Sequence, residues 1–96
     1  MRLVVHPAAR LEMDAALARS KVEFGPGTAA RLLRRFDRSG QMLLGHPMLG
    51  TAARAGARKL PMSRFPYTLV YRIEGEVIHV IALMHQSRTP DHWRGW

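Results

Sequence analysis

The chain has 96 residues and no cysteine. That is enough for one domain, residues 1–96, with a modest core; disulfides and thiolate metal sites are excluded, and nothing argues for an oxidising compartment. Its 15 basic residues, 13 of them Arg, against 7 acidic ones give a net charge of +8, a balance that concentrates polyanions or an acidic protein partner near the surface.

The planar guanidinium fork pairs bidentately with phosphate or carboxylate, so Arg suits either partner. The apolar run Leu3-Val4-Val5 is far too short for a secretory leader, and no later run reaches membrane-spanning length, so a cytoplasmic location away from membranes is expected.

Leu3 to His6 reads as a short strand, and Pro7 then suits the first turn of a helix. Ala8, Leu11, Ala15, Ala18 and Val22 recur at steps of three and four, predicting an apolar stripe on that helix. Gly25-Pro26-Gly27 ends it, and Thr28 is placed as N-cap of a second helix running to about Leu44. On the second helix Ala29, Leu32, Leu33, Phe36 and Leu43 share one side. Arg31, Arg34, Arg35 and Arg38 share the opposite side, either as a solvated basic face or as a contact surface for an acidic partner or nucleic acid. Residues 45–56, rich in Gly, Pro and Ala, read as loop.

Three strands follow. Leu60 and Met62 alternate inward around β-type positions, Tyr67, Leu69, Tyr71 and Ile73 alternate with Thr68, Val70 and Arg72, and Val77 to Met84 is a nearly continuous aliphatic run. A two-residue turn at Glu74-Gly75 would pair Tyr71 with Ile78, Leu69 with Val80 and Tyr67 with Ala82 on the core face. The opposite face would then carry Thr68, Val70 and Arg72 beside His79, Ile81, Leu83 and His85, with Lys59 nearby. Such a half-apolar, half-cationic surface suits a partner, with Val70, Ile81 and Leu83 as its apolar contacts. Arg64 and Arg88, polar positions in loops beside a rigid sheet, are further binding candidates. The order strand, two helices, three strands predicts an α+β fold, a helical hairpin packed on one face of a small antiparallel sheet.

Leu60-Pro61, Phe65-Pro66-Tyr67, Leu69-Val70-Tyr71-Arg72, then His85, Arg88, Pro90 and Trp93 closely resemble the C-terminal half of the RelE/ParE superfamily of type II toxin–antitoxin toxins. His46-Pro47-Met48-Leu49-Gly50 resembles the Pro-x-Leu-Gly loop of the same superfamily, which extends the resemblance over nearly the whole chain. The resemblance implies this α+β plan and a cognate antitoxin protein as partner in a toxin–antitoxin hetero-oligomer of a plasmid-stabilisation type. It leaves two targets open: DNA gyrase for the ParE-like branch, or the ribosome and its mRNA for the RelE-like ribonucleases.

Cleavage of RNA by its 2′-hydroxyl needs a proton acceptor, a proton donor and cations for the developing charge. Lys59, Arg72, His85 and Arg88 are the residues that could supply them. At the positions where the ribonuclease branch carries its basic pair, its strand Arg and its C-terminal Arg and Tyr, this chain has Lys59 and Pro61, Thr68, then Ser87 and Trp93. Only Lys59 is retained, so the resemblance favours the ParE-like branch, with no ribonuclease activity of its own; an inactive relative that only binds antitoxin is the third reading. His85 also has a structural alternative, bonding the loop that follows it. No cofactor is implied, and no metal site, because the histidines lack partner ligands at characteristic spacing.

Overall fold

The computed structural model describes residues 1–85; Arg88, Pro90 and Trp93 lie outside the described residues. Gly25 determines how the helices are arranged. Its backbone, at φ 94° and ψ 169°, closes α1 (Pro7–Phe24) and opens α2 (Pro26–Gly45), so the helical hairpin turns on a single residue. That conformation is essentially open to glycine alone. Thr28, expected as the N-cap, therefore sits inside the first turn of α2. The cap of α1 is His6, whose Nδ1 accepts from the Ala8 N–H at 3.1 Å ahead of Pro7 at the helix start.

The buried side of α1 is one position away from the predicted stripe: Ala9, Ala16 and Ser20 are buried, with Met13 and Leu17 packed beside them. Leu11 and Val22 are 70% and 86% exposed. The helix is rich in alanine, so its apolar positions define no side sharply, and tertiary packing selects the small Ala9 and Ala16 for close approach. α2 follows its pattern better, burying Leu32, Phe36, Ser39 and Leu43, although Leu33 is largely solvent-facing.

Five strands form one sheet in the order β1-β5-β4-β3-β2: β1 (Arg2–Val5), β2 (Thr51–Ala52), β3 (Arg58–Pro61), β4 (Tyr67–Glu74) and β5 (Val77–His85). The predicted α+β plan holds, with one refinement to the sheet. The antiparallel meander β3-β4-β5 walks back to β1 and delivers β5 running in the same direction as β1, so the sheet is mixed. The segment expected as loop contributes β2 and a 3₁₀ turn at Arg54–Gly56. No helix among the described residues is long and apolar enough to cross a membrane.

The β4-β5 hairpin turns at Gly75-Glu76, one residue later than predicted, so Ile73 faces Ile78 and Tyr71 faces Val80. A β-bulge then leaves Ile81 as an extra residue: Val70 pairs with Ala82, Leu69 with Leu83 and Tyr67 with His85. The extra residue reverses which side chains face the helices. Leu83, expected on the far face, joins the helix-side core with Leu69 and Tyr71, and Ala82, expected in that core, lies on the far face.

That far face differs from the expected open surface. Val70 and Ile81 are 0% and 6% exposed, packed with Ala57 and Ala82 and flanked by Ala53 and Met84. Ala53 and Ala57 flank the 3₁₀ turn, so the β2-β3 connection itself contributes to this second apolar cluster. On the helix side, the Glu12 carboxylate of α1 accepts from the Leu83 N–H at 2.9 Å, just beyond the point where β1 stops pairing with β5. A buried strand donor without a neighbouring strand is thereby satisfied.

Candidate partner-binding site

The proposed ribonuclease residues divide between the two faces of the sheet. Lys59 pairs with Val70 and Arg72 with His79, which puts both cations on the far face. His85 pairs with Tyr67 on the helix side, their rings edge to face at 5.2 Å and 84°. His79, whose imidazole is 3.9 Å from the Glu74 carboxylate, is on the face opposite His85, so the predicted pairing of the two histidines on one surface does not occur. The bulge at Ile81 is the cause, since it turns His85 over without moving His79. Lys59, Arg72 and His85 are not brought together, and Arg88 lies outside the described residues.

What the fold does bring together lies at the end of the molecule where the α1-α2 turn meets the β3-β4 connection. A groove of about 510 Å³ is lined by Arg19, Ser20, Glu23 and Phe24 from α1, Thr28 from α2, Arg64, Phe65 and Pro66 from the connection, and Tyr67 and His85 from the sheet. Phe24 is 70% exposed at its edge. A smaller depression next to it contains Leu11, Glu12 and Ala15 and shares Arg19, Tyr67 and His85 with the groove. Apolar floor, aromatic walls and a charged rim are what a protein surface needs in order to hold a partner segment.

Across Arg64 and Phe65 the groove passes into a second concavity of about 470 Å³, lined by Thr28, Arg31, Arg34, Arg35 and Arg38 of α2 together with Arg64. Arg64, the predicted loop residue, has φ 71°, a left-handed backbone unusual for a β-carbon-bearing side chain. Tyr67 is buried in the core and the half-buried Phe65 packs against it, and together they anchor this connection.

Arg19, Phe24 and Tyr67 escaped sequence reasoning as groove residues. Phe24 carried the only usable signal, an aromatic outside the predicted stripe directly before the helix-ending glycine. Of the predicted apolar contacts, Val70 and Ile81 are enclosed in the far-face cluster and Leu83 is in the helix-side core. Arg31, Arg34 and Arg38 are exposed where predicted and share their concavity with Arg64.

Residues 3–90 match the sequence model of a family described as the ParE toxin of the type II toxin–antitoxin system parDE. Among solved structures, a chain of the chromosomal ParDE toxin–antitoxin system from P. aeruginosa superposes with a TM-score of 0.78. Its identity is 22%, over 88% of this chain and 95% of that one, and the likeness carries the fold. A search of curated proteins finds no match.

Proposed function

This chain belongs to the ParE toxin family of type II toxin–antitoxin systems, and on that premise we propose that it acts in the cytoplasm by binding DNA gyrase and is neutralised by a cognate antitoxin protein that occupies the groove between α1 and the β3-β4 connection. The observation that carries the reading is the division of candidate chemistry across the sheet. Lys59 and Arg72 are on one face and His85 on the other. A general acid, a general base and a charge stabiliser must all reach one phosphodiester, and these three side chains point to opposite sides of a sheet. Toxicity then follows from binding a target, as gyrase poisoning requires, and the ParE-like features of the sequence support gyrase as that target.

For the antitoxin, the exposed Phe24 and the apolar groove beside it give the partner segment something to bury, and Arg19 and Arg64 at its rim pair with acidic side chains. Burying one such aromatic contributes about 1.5–3 kcal/mol. The test uses purified gyrase and relaxed plasmid: the toxin suppresses supercoiling, prior addition of its antitoxin restores it, and mRNA on translating ribosomes stays intact. Ribosome-dependent cleavage with gyrase unaffected overturns the reading.

A further inference from the structure

We propose that the arginine basin between α2 and the β3-β4 connection is a binding site for the phosphate backbone of duplex nucleic acid. The inference is independent of which protein the toxin poisons. Five guanidinium groups line one concavity, four from α2 and Arg64 from a separate element, and no carboxylate among the described residues lines it. Arg34, Arg35, Arg38 and Arg64 have no ion pair or hydrogen bond among the described residues, while Arg31 donates to the Thr28 hydroxyl at 2.8 Å. Like charges gathered at this density repel one another, and a multiply charged anion relieves that repulsion.

The shape of the array identifies the anion. Arg31, Arg34, Arg35 and Arg38 follow the helical repeat along one face of α2, and from Arg31 to Arg38 the rise is about 10 Å at 1.5 Å per residue. One strand of a duplex presents a phosphate about every 3.4 Å of axis, so the row spans about three phosphates. A single small anion would leave most of the row uncompensated. An acidic peptide with apolar anchors finds its apolar contacts in the neighbouring groove, around Phe24 and Tyr67, and not in the basin. Single strands are usually held by stacking on exposed aromatics, and the one aromatic among the described residues of the basin, Phe65, is half-buried and packed against the core. Backbone contact without base readout therefore predicts binding that is independent of sequence and strongly dependent on salt.

The experiment measures fluorescence anisotropy of a labelled duplex of about 20 base pairs with the full chain across a salt series. Three proteins are compared: the parent, a basin variant (Arg34→Gln, Arg38→Gln, Arg64→Gly) and a control (Arg2→Gln, Arg10→Gln, Lys21→Gln) that removes the same number of exposed charges from β1 and α1. Glycine at position 64 accepts the positive φ, and circular dichroism confirms that each variant is folded. The expected result is a loss of roughly tenfold or more in duplex affinity for the basin variant, with the plot of log affinity against log salt flattened by about 2 to 3 units. The control is expected to lose much less. Equal losses in the two variants reduce the effect to net charge and overturn the proposal. Poly-L-glutamate binding as tightly as the duplex, with the same dependence on the basin arginines, also overturns it and makes the basin an acidic-protein site.

Discussion

The Tyr71 hydroxyl accepts from the Gly50 N–H at 2.9 Å and donates to the Pro47 carbonyl at 2.7 Å, from a side chain with no solvent exposure. Arg58 holds the same segment from the next strand through the Met48 and Gly50 carbonyls, at 3.1 and 2.6 Å. A β-carbon at Gly50 would come within 2.6 Å of the Lys59 carbonyl and 2.9 Å of the Tyr71 ring. The Pro-x-Leu-Gly segment is thus bound to the sheet through its backbone, and its glycine is required for that close approach.

Tyr71→Phe removes the acceptor for a buried N–H and the donor to a carbonyl. It should lower unfolding free energy by about 1–3 kcal/mol. Gly50→Ala, which must push against backbone, should cost at least as much, typically about 1–3 kcal/mol of overpacking. Urea denaturation measures both, and a loss below 0.5 kcal/mol in each, roughly the level of an ordinary surface change, would remove this segment from the set of stabilising contacts.

Substituting alanine for glycine should have opposite effects at the two ends of α2. Gly25, at φ 94° with nothing within 4 Å of the place a β-carbon would take, has space but the wrong backbone for alanine. Gly25→Ala should destabilise by about 1–3 kcal/mol. Gly45, the last residue of α2, also has nothing within 4 Å and a backbone outside the left-handed region. Gly45→Ala should therefore be neutral or stabilising by up to about 1 kcal/mol. Thermal melts of the two variants on opposite sides of the parent test the single-residue hairpin directly.

Ile81→Asp and Phe24→Asp should separate folding from binding. Ile81 is 6% exposed inside the far-face cluster, so an aspartate there leaves a charge without a partner and should unfold the protein or cost several kcal/mol. Phe24 is 70% exposed, and Phe24→Asp should keep the parent's circular dichroism while weakening antitoxin binding at least tenfold, about 1.4 kcal/mol. Undiminished affinity for Phe24→Asp would move the antitoxin to another surface.

Which parts of this fold could be read in the sequence follows from how sharply each segment's side chains differ. On α2, arginines alternate with Leu32, Phe36 and Leu43 at helical spacing, and both faces were identified. β4 alternates from Tyr67 to Ile73, and its inward positions were legible as well. Val80-Ile81-Ala82-Leu83-Met84 is uniformly apolar, so no pattern marks the bulge at Ile81, and the sides of Leu83 and His85 were assigned the wrong way round. α1 gave little because alanine fits either side. The groove was invisible because its walls come from residues 40 or more positions apart, Arg19 and Phe24 against Arg64 and Tyr67, and no local period reports such a meeting.

The most direct test of a toxin that works by binding a target compares Lys59→Ala, Arg72→Gln and His85→Gln with the parent in a gyrase supercoiling assay and, in parallel, in ribosome-dependent mRNA cleavage. The account predicts supercoiling inhibition by the parent, retained within a few-fold by each folded variant, and no mRNA cleavage by any of them. Cleavage by the parent that falls at least a hundredfold in a folded variant, within the usual contribution of about 10²–10⁴ from a proton-transfer group, would contradict it.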